Sequence, residues 1–120
     1  MATILAVDDS TSIRQMVSFI LKQEGYEVLD ASDGIEALQI AENRQVDLVL
    51  TDLNMPQMDG IALIKALRSF PSYQHTPLLM LTTETSSEKK QQGREAGATG
   101  WIVKPFDPEQ LVSVIGKILG

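Results

Sequence analysis

Two aspartates in tandem, Asp8 and Asp9, follow the apolar run Ile4–Val7, and a third, Asp52, follows the apolar run Val46–Thr51. Thr82 closes the run Pro77–Thr82, with Thr83 beside it, and Lys104 follows Trp101–Val103. Each polar group stands where an apolar run stops. The chain has no cysteine, which excludes disulfides, thiolate zinc sites and cysteine nucleophiles. The sole histidine, His75, lies beside a proline in "SYQHTP" and reads as a solvated surface residue. Carboxylates, hydroxyls and one amine remain to do chemistry.

If the three acids meet, their repulsion must be answered. Two unit charges about 4 Å apart repel by roughly 4 kcal/mol at an effective dielectric near 20. Either one acid holds a proton or a cation binds. An all-oxygen set open to solvent suits Mg²⁺, which keeps several waters and completes its shell with phosphate oxygens. A metal-bound carboxylate facing solvent can also attack phosphorus. Lys104 can pair with a carboxylate and then with a phosphoryl oxygen, and the Thr82 hydroxyl can bond another. That is a phosphoryl-transfer site built from positioning and charge. Taken singly, each residue has a plainer use. Asp8 and Asp9 can cap the next helix, Asp52 can serve a turn, Thr82 can end a strand, and Lys104 can sit in solvent. Only their convergence separates the two readings.

The elements must supply that convergence. Short apolar runs alternate with helical patterns, giving strands at Ile4–Val7, Glu27–Asp30, Val46–Thr51, Pro77–Thr82 and Trp101–Val103. Ile13, Met16, Val17, Ile20 and Leu21 recur at helical spacing, with Ser10 or Thr11 as the cap and Gly25 as the end. Asp33 with Glu36 opens a second helix running to about Asn43. Asp59 caps a third, carrying Leu63, Ile64 and Leu67. Residues 87–96 form a weak, polar fourth helix that contains Gly93. Its few apolar contacts make it a movable element. Asp107 caps the last helix, Pro108 takes its first position, and Leu111, Val112, Ile115, Ile118 and Leu119 line one face. Met55, Met58, Met80 and Trp101 read as packing residues.

Five strands alternating with five helices imply an α/β fold, a doubly wound parallel sheet covered on both faces. In such sheets ligands bind beyond the carboxyl ends of the strands, where these polar residues fall. The elements use nearly all of the 120 residues, so one domain, 1–120, is expected. A formal charge of −6 argues against nucleic-acid or anionic-membrane binding. Met1–Thr3 shows no signal peptide and no apolar run approaches a membrane span, so a cytoplasmic protein is expected.

The segments "VDDS", "DLVLTDLNMPQMDG", "MLTTE" and "GATGWIVKPF", in this order, make the sequence resemble the receiver domain of two-component response regulators, of the single-domain chemotaxis (CheY-like) type. The resemblance spans the chain. It implies a flavodoxin-like (βα)5 fold with strand order 2-1-3-4-5, an order that the handed-down pattern of this family supplies and periodicity does not. It implies Asp52 as phosphoacceptor. Asp9, Asp52 and the main-chain carbonyl of Asn54 would hold Mg²⁺ directly, and Asp8 through water. Lys104 would hold a phosphoryl oxygen, Thr82 would be the switch hydroxyl, and Trp101 takes the aromatic switch position. Asn54 and Glu84 would tune dephosphorylation, and the Lys104–Pro105 bond would be cis. Trp101 stands where tyrosine is frequent, Thr83 where alanine is frequent, and Leu53 where some members carry tryptophan.

On this reading a histidine kinase of the chemotaxis type phosphorylates Asp52, and the face of helix four, strand five and helix five changes its binding to a downstream protein, the flagellar motor switch among the candidates. A phosphate sink or relay regulator in a non-flagellar chemosensory pathway is the alternative. A monomer is expected, and no enzyme beyond its own phosphorylation and dephosphorylation. Three rivals fit less well. A receiver-like interaction module that is never phosphorylated would not need the complete acid–threonine–lysine set. A haloacid-dehalogenase-type phosphatase wants a second aspartate where Asn54 stands. A flavodoxin would set Asp8 and Asp9 against the cofactor phosphate.

Overall fold

A computed structural model describes all 120 residues and has five parallel strands in the order β2-β1-β3-β4-β5. The elements alternate along the chain: β1 (Thr3–Val7), α1 (Thr11–Gln23), β2 (Glu27–Ala31), α2 (Gly34–Asn43), β3 (Leu48–Thr51), α3 (Gly60–Arg68), β4 (Leu78–Thr82), α4 (Ser87–Ala96), β5 (Gly100–Val103) and α5 (Pro108–Leu119). Strand side chains point alternately to the two faces, and both faces are apolar. Ile4, Ala6, Leu48, Leu50, Leu79 and Leu81 meet Val17 and Leu21 of α1 and Leu111 and Ile115 of α5. Leu5, Val7, Val49, Leu78 and Met80 meet Ala37, Leu63, Ile64 and Ala96 of the other three helices. A sheet buried on both faces has continuous apolar strands, as β1, β3 and β4 show.

The expected caps form. Ser10 accepts from the Ile13 N–H, Asp33 from Glu36, Asp59 from Ala62 and Asp107 from Glu109. Each satisfies a helix-end donor that would otherwise be unpaired. Ser86, not singled out in the sequence, caps α4 by accepting from Lys89 N–H.

Several details differ from expectation: β4 starts at Leu78 rather than Pro77, and on α5 Val114 rather than Val112 packs against the core. β3 begins at Leu48 rather than Val46. The Val46 N–H is taken by the Tyr73 hydroxyl at 3.2 Å, and the Asp47 carboxylate accepts the Thr3 N–H at 2.7 Å, so both residues tie the sheet's lower edge instead of extending the strand. Met16 is 48% exposed, because the inner stripe of α1 runs through Ile13, Val17 and Leu21 and leaves Met16 at its margin. A 3-10 turn at Pro71–Tyr73, absent from the periodicity, buries Tyr73.

Candidate functional site

β1 and β3 are hydrogen-bonded neighbours, with Val7 in register with Thr51. The residues that follow them therefore leave the sheet side by side. The Asp8 N–H continues the ladder to Ala31 O, and the Asp52 N–H to Val7 O, at 3.1 and 2.9 Å. Asp8 and Asp52 are thus fixed by their own backbones before their side chains are considered. Oxygens of Asp8, Asp9 and Asp52 lie within 4.8 Å of one another. Asp8 and Asp52 are buried, and Asp9 is exposed, so the cluster opens to solvent on one side.

Lys104 arrives from the end of β5. Its Nζ donates to Asp8 Oδ2 at 2.6 Å and to Asp52 Oδ2 at 3.2 Å. Burial opposes the lysine's charge, but the hydrogen bond and charge of Asp8, with those of Asp52, outweigh it. The ammonium is held above the ordinary lysine range. One cation faces three carboxylates, so the cluster keeps excess negative charge. The donor set is all oxygen, without imidazole or thiolate, and fits a hard divalent cation such as Mg²⁺.

Local bonds orient the acids. Asp8 Oδ1 accepts the Ser10 N–H at 2.9 Å and Asp52 Oδ1 the Leu53 N–H at 2.7 Å. Arg14 donates to the Asp8 carbonyl at 2.7 Å and pairs with Asp30 at 3.4 Å. Nothing in its spacing marks Arg14, which follows Ile13 on the amphipathic helix α1.

The loop between β3 and α3 is pulled tight over the site. Gln57 takes φ 72°, and the Met58 N–H returns to Pro56 O at 2.8 Å. Gly60 then brings α3 against the loop's start: a Cβ there would strike the Asp52 carbonyl, and the Gly60 N–H donates to Leu53 O at 2.8 Å. Asn54, within this loop, is exposed.

On the other side, Thr82 ends β4 fully buried. Its Oγ1 accepts the Glu84 N–H at 3.3 Å, and the Glu84 carbonyl accepts from the Trp101 indole at 2.9 Å. The Glu84 peptide is therefore held between the two residues expected to switch. The Glu84 side chain is half-buried and accepts from Ser86 Oγ at 2.8 Å. Thr83 is exposed, as is His75, and the Lys104–Pro105 peptide is cis. No helix is long and apolar enough to cross a membrane.

The sequence profile described as "Response regulator receiver domain" matches residues 4–116. The chemotaxis protein CheY1 of Helicobacter pylori is 37% identical over 119 residues, spanning 98% of this chain and 96% of that protein. The solved structure of the Vibrio cholerae chemotaxis protein CheY4 superposes with a TM-score of 0.95 at 55% identity, covering 98% of both chains. The receiver domain of the sensor histidine kinase PA1611 from Pseudomonas aeruginosa, solved with magnesium coordinated in its active site cleft, superposes with a TM-score of 0.92 at 26% identity, covering 99% of this chain and 98% of that one.

Proposed function

The chain belongs to the response regulator receiver domain family of two-component signalling, and on that premise we propose that it is a phosphorylation switch of the chemotaxis type. The carrying observation is Lys104 set between the buried carboxylates of Asp8 and Asp52, with exposed Asp9 completing the acid cluster. Asp9, Asp52 and the Asn54 carbonyl would hold Mg²⁺, with Asp8 assisting through water. The ion supplies charge screening between carboxylates and phosphoryl oxygens.

The steps belong to the chain's own residues. An Asp52 oxygen attacks the phosphorus of a kinase phosphohistidine. An O–P bond forms, the P–N bond breaks, and the imidazole leaves with its electron pair. Lys104 moves from the Asp52 carboxylate to a phosphoryl oxygen. Thr82 Oγ1 turns to donate to another, releasing the Glu84 N–H, and Trp101 follows. The face of α4, β5 and α5 then changes its affinity for a downstream protein. The chain catalyses its own phosphorylation and hydrolysis in the cytoplasm and turns over no independent substrate.

Acetyl phosphate with Mg²⁺ tests this directly. Intact-mass measurement should detect one phosphoryl group on wild type and none on Asp52→Asn. Equal labelling of both proteins overturns the assignment.

A further inference from the structure

Gly93 lies inside α4 and is buried. Glycine is among the poorest residues for a helix interior, and α4 has few apolar residues to compensate. The reason for it lies across the interface with β5. A Cβ on Gly93 would stand 2.7 Å from Trp101 Cζ3, 3.5 Å from Cε3 and 3.7 Å from Cη2. All three nearest atoms belong to the six-membered ring of one indole. The other end of that indole is fixed, because Nε1 donates to Glu84 O at 2.9 Å. The indole is a rigid plate bonded to the loop that enters α4 and pressed on the middle of α4. It cannot retreat from a methyl group at position 93 without disturbing the bond to Glu84.

We propose that Gly93 is a positioning residue of the switch: its missing side chain is the slot that admits Trp101 in the orientation that bonds the Glu84 carbonyl. Helix propensity is given up in α4 to set how Trp101 stands. The inference rests on the reading of Trp101 as the switch aromatic. It adds the residue that determines which orientation is open to it. Through the Glu84 peptide, whose N–H is bonded to Thr82 Oγ1, the slot acts on the same unit as the phosphoryl-sensing hydroxyl.

A four-protein cycle tests it: wild type, Gly93→Ala, Trp101→Ala and the double variant. With the indole removed, Gly93→Ala should raise the Tm, as alanine does in a helix interior. With the indole present, the same substitution should lower it. Alanine is the better helix former, so Gly93→Ala remains able to fold. Trp101 is the sole tryptophan, so its indole N–H gives one assignable resonance, which should move in Gly93→Ala. Half-saturation by beryllofluoride in the presence of Mg²⁺ should shift at least about threefold between wild type and Gly93→Ala, a free-energy change of roughly 0.65 kcal/mol. A Tm change of the same sign in both backgrounds, with the resonance unmoved, overturns the slot. A sign reversal with unchanged beryllofluoride affinity overturns the link to switching. Failure of wild type to bind beryllofluoride at all overturns the proposed function, while the thermal cycle and the resonance still judge the slot.

Discussion

The Lys104 ammonium rests on Asp8, with Nζ 2.6 Å from Oδ2, and reaches Asp52 only at 3.2 Å. The closer partner is therefore not the proposed phosphoacceptor. Asp8 anchors the lysine, and under the proposed function the longer contact to Asp52 is the one that a phosphoryl oxygen would replace. Two buried carboxylates share this cation, so Lys104 stabilises the fold as well as the site.

Lys104→Ala should accordingly destabilise the metal-free protein. Removing one partner of a buried ion pair costs about 3–5 kcal/mol, and the solvent-facing side at Asp9 puts this case near about 3. Mg²⁺ should restore part of the loss, because it answers the same carboxylates. Urea unfolding in chelator and in Mg²⁺ measures both terms. The Mg²⁺ increment should be larger in Lys104→Ala than in wild type, and equal increments would mean that lysine and ion do not share ligands.

Asp9 offers the converse case. It is exposed and adds negative charge to a cluster already in excess. Asp9→Asn should leave metal-free stability equal or higher, since it relieves repulsion. Wild type should gain about 1.4 kcal/mol at ten times the Mg²⁺ Kd. The variant should gain clearly less at the same concentration. Thermal melts across a Mg²⁺ series would contradict the site if the two proteins respond alike.

Much of this was legible in the sequence, and the reasons are local. The runs ending at Val7, Thr51 and Thr82 are apolar because both faces of the sheet are buried there, so these strand ends, and the polar residues after them, could be read directly. The caps Asp33, Asp59 and Asp107 were visible because a capping oxygen must sit at a fixed offset from the helix it opens. That Lys104 can pair with a carboxylate was legible, but not that Asp8, 96 positions away, is the nearer one, because that choice depends on how the lysine side chain lies between the ends of β1 and β3. Gly93 looked like a flaw in a weak helix because Trp101, which explains it, belongs to another element. The roles of Arg68 and Tyr73 were invisible for a related reason: both bind backbone carbonyls, which no side-chain pattern reports. Arg68 donates to the carbonyls of Tyr73, Thr76 and Gly97, joining the end of α3 to the turn after α4.

Tyr73 supplies a stability prediction away from the site. Its hydroxyl accepts the Val46 N–H at 3.2 Å and lies 2.8 Å from Ala41 O and 2.9 Å from Arg44 O. Tyr73→Phe leaves the Val46 N–H without its partner and should cost about 1–3 kcal/mol. Burial pushes the phenol's pKa up in the folded state, more than the Val46 hydrogen bond lowers it. A raised folded pKa contributes stability that is full below the unfolded phenol pKa of about 10 and is lost as pH rises through the folded value. The gap between wild type and Tyr73→Phe should therefore hold through neutral pH and narrow only above about pH 10. Denaturant midpoints across that range are the measurement, and a gap that ignores alkaline pH would mean that the hydroxyl is not protected.

The lifetime of the phosphorylated state should depend on the Glu84 carboxylate. The Glu84 backbone is held independently of its side chain, by N–H to Thr82 Oγ1 and by C=O to the Trp101 indole. Replacing the side chain therefore leaves the loop in place and removes only the carboxylate, together with its contact to Ser86. Hydrolysis of an aspartyl phosphate at Asp52 needs water in line with the phosphorus. Asn54 is exposed beyond β3, Glu84 lies half-buried beyond β4, and both can bond that water. Glu84→Leu should keep the Tm and the phosphorylation of wild type while slowing dephosphorylation several-fold. Glu84→Gln retains hydrogen-bonding capacity and should fall between. The decay of the phosphorylated mass after removal of acetyl phosphate ranks the three. If all three decay together, the carboxylate serves Ser86 and the turn into α4, and water reaches the phosphorus without it. If Glu84→Leu is slow and Glu84→Gln is fast, hydrogen bonding rather than charge positions the water.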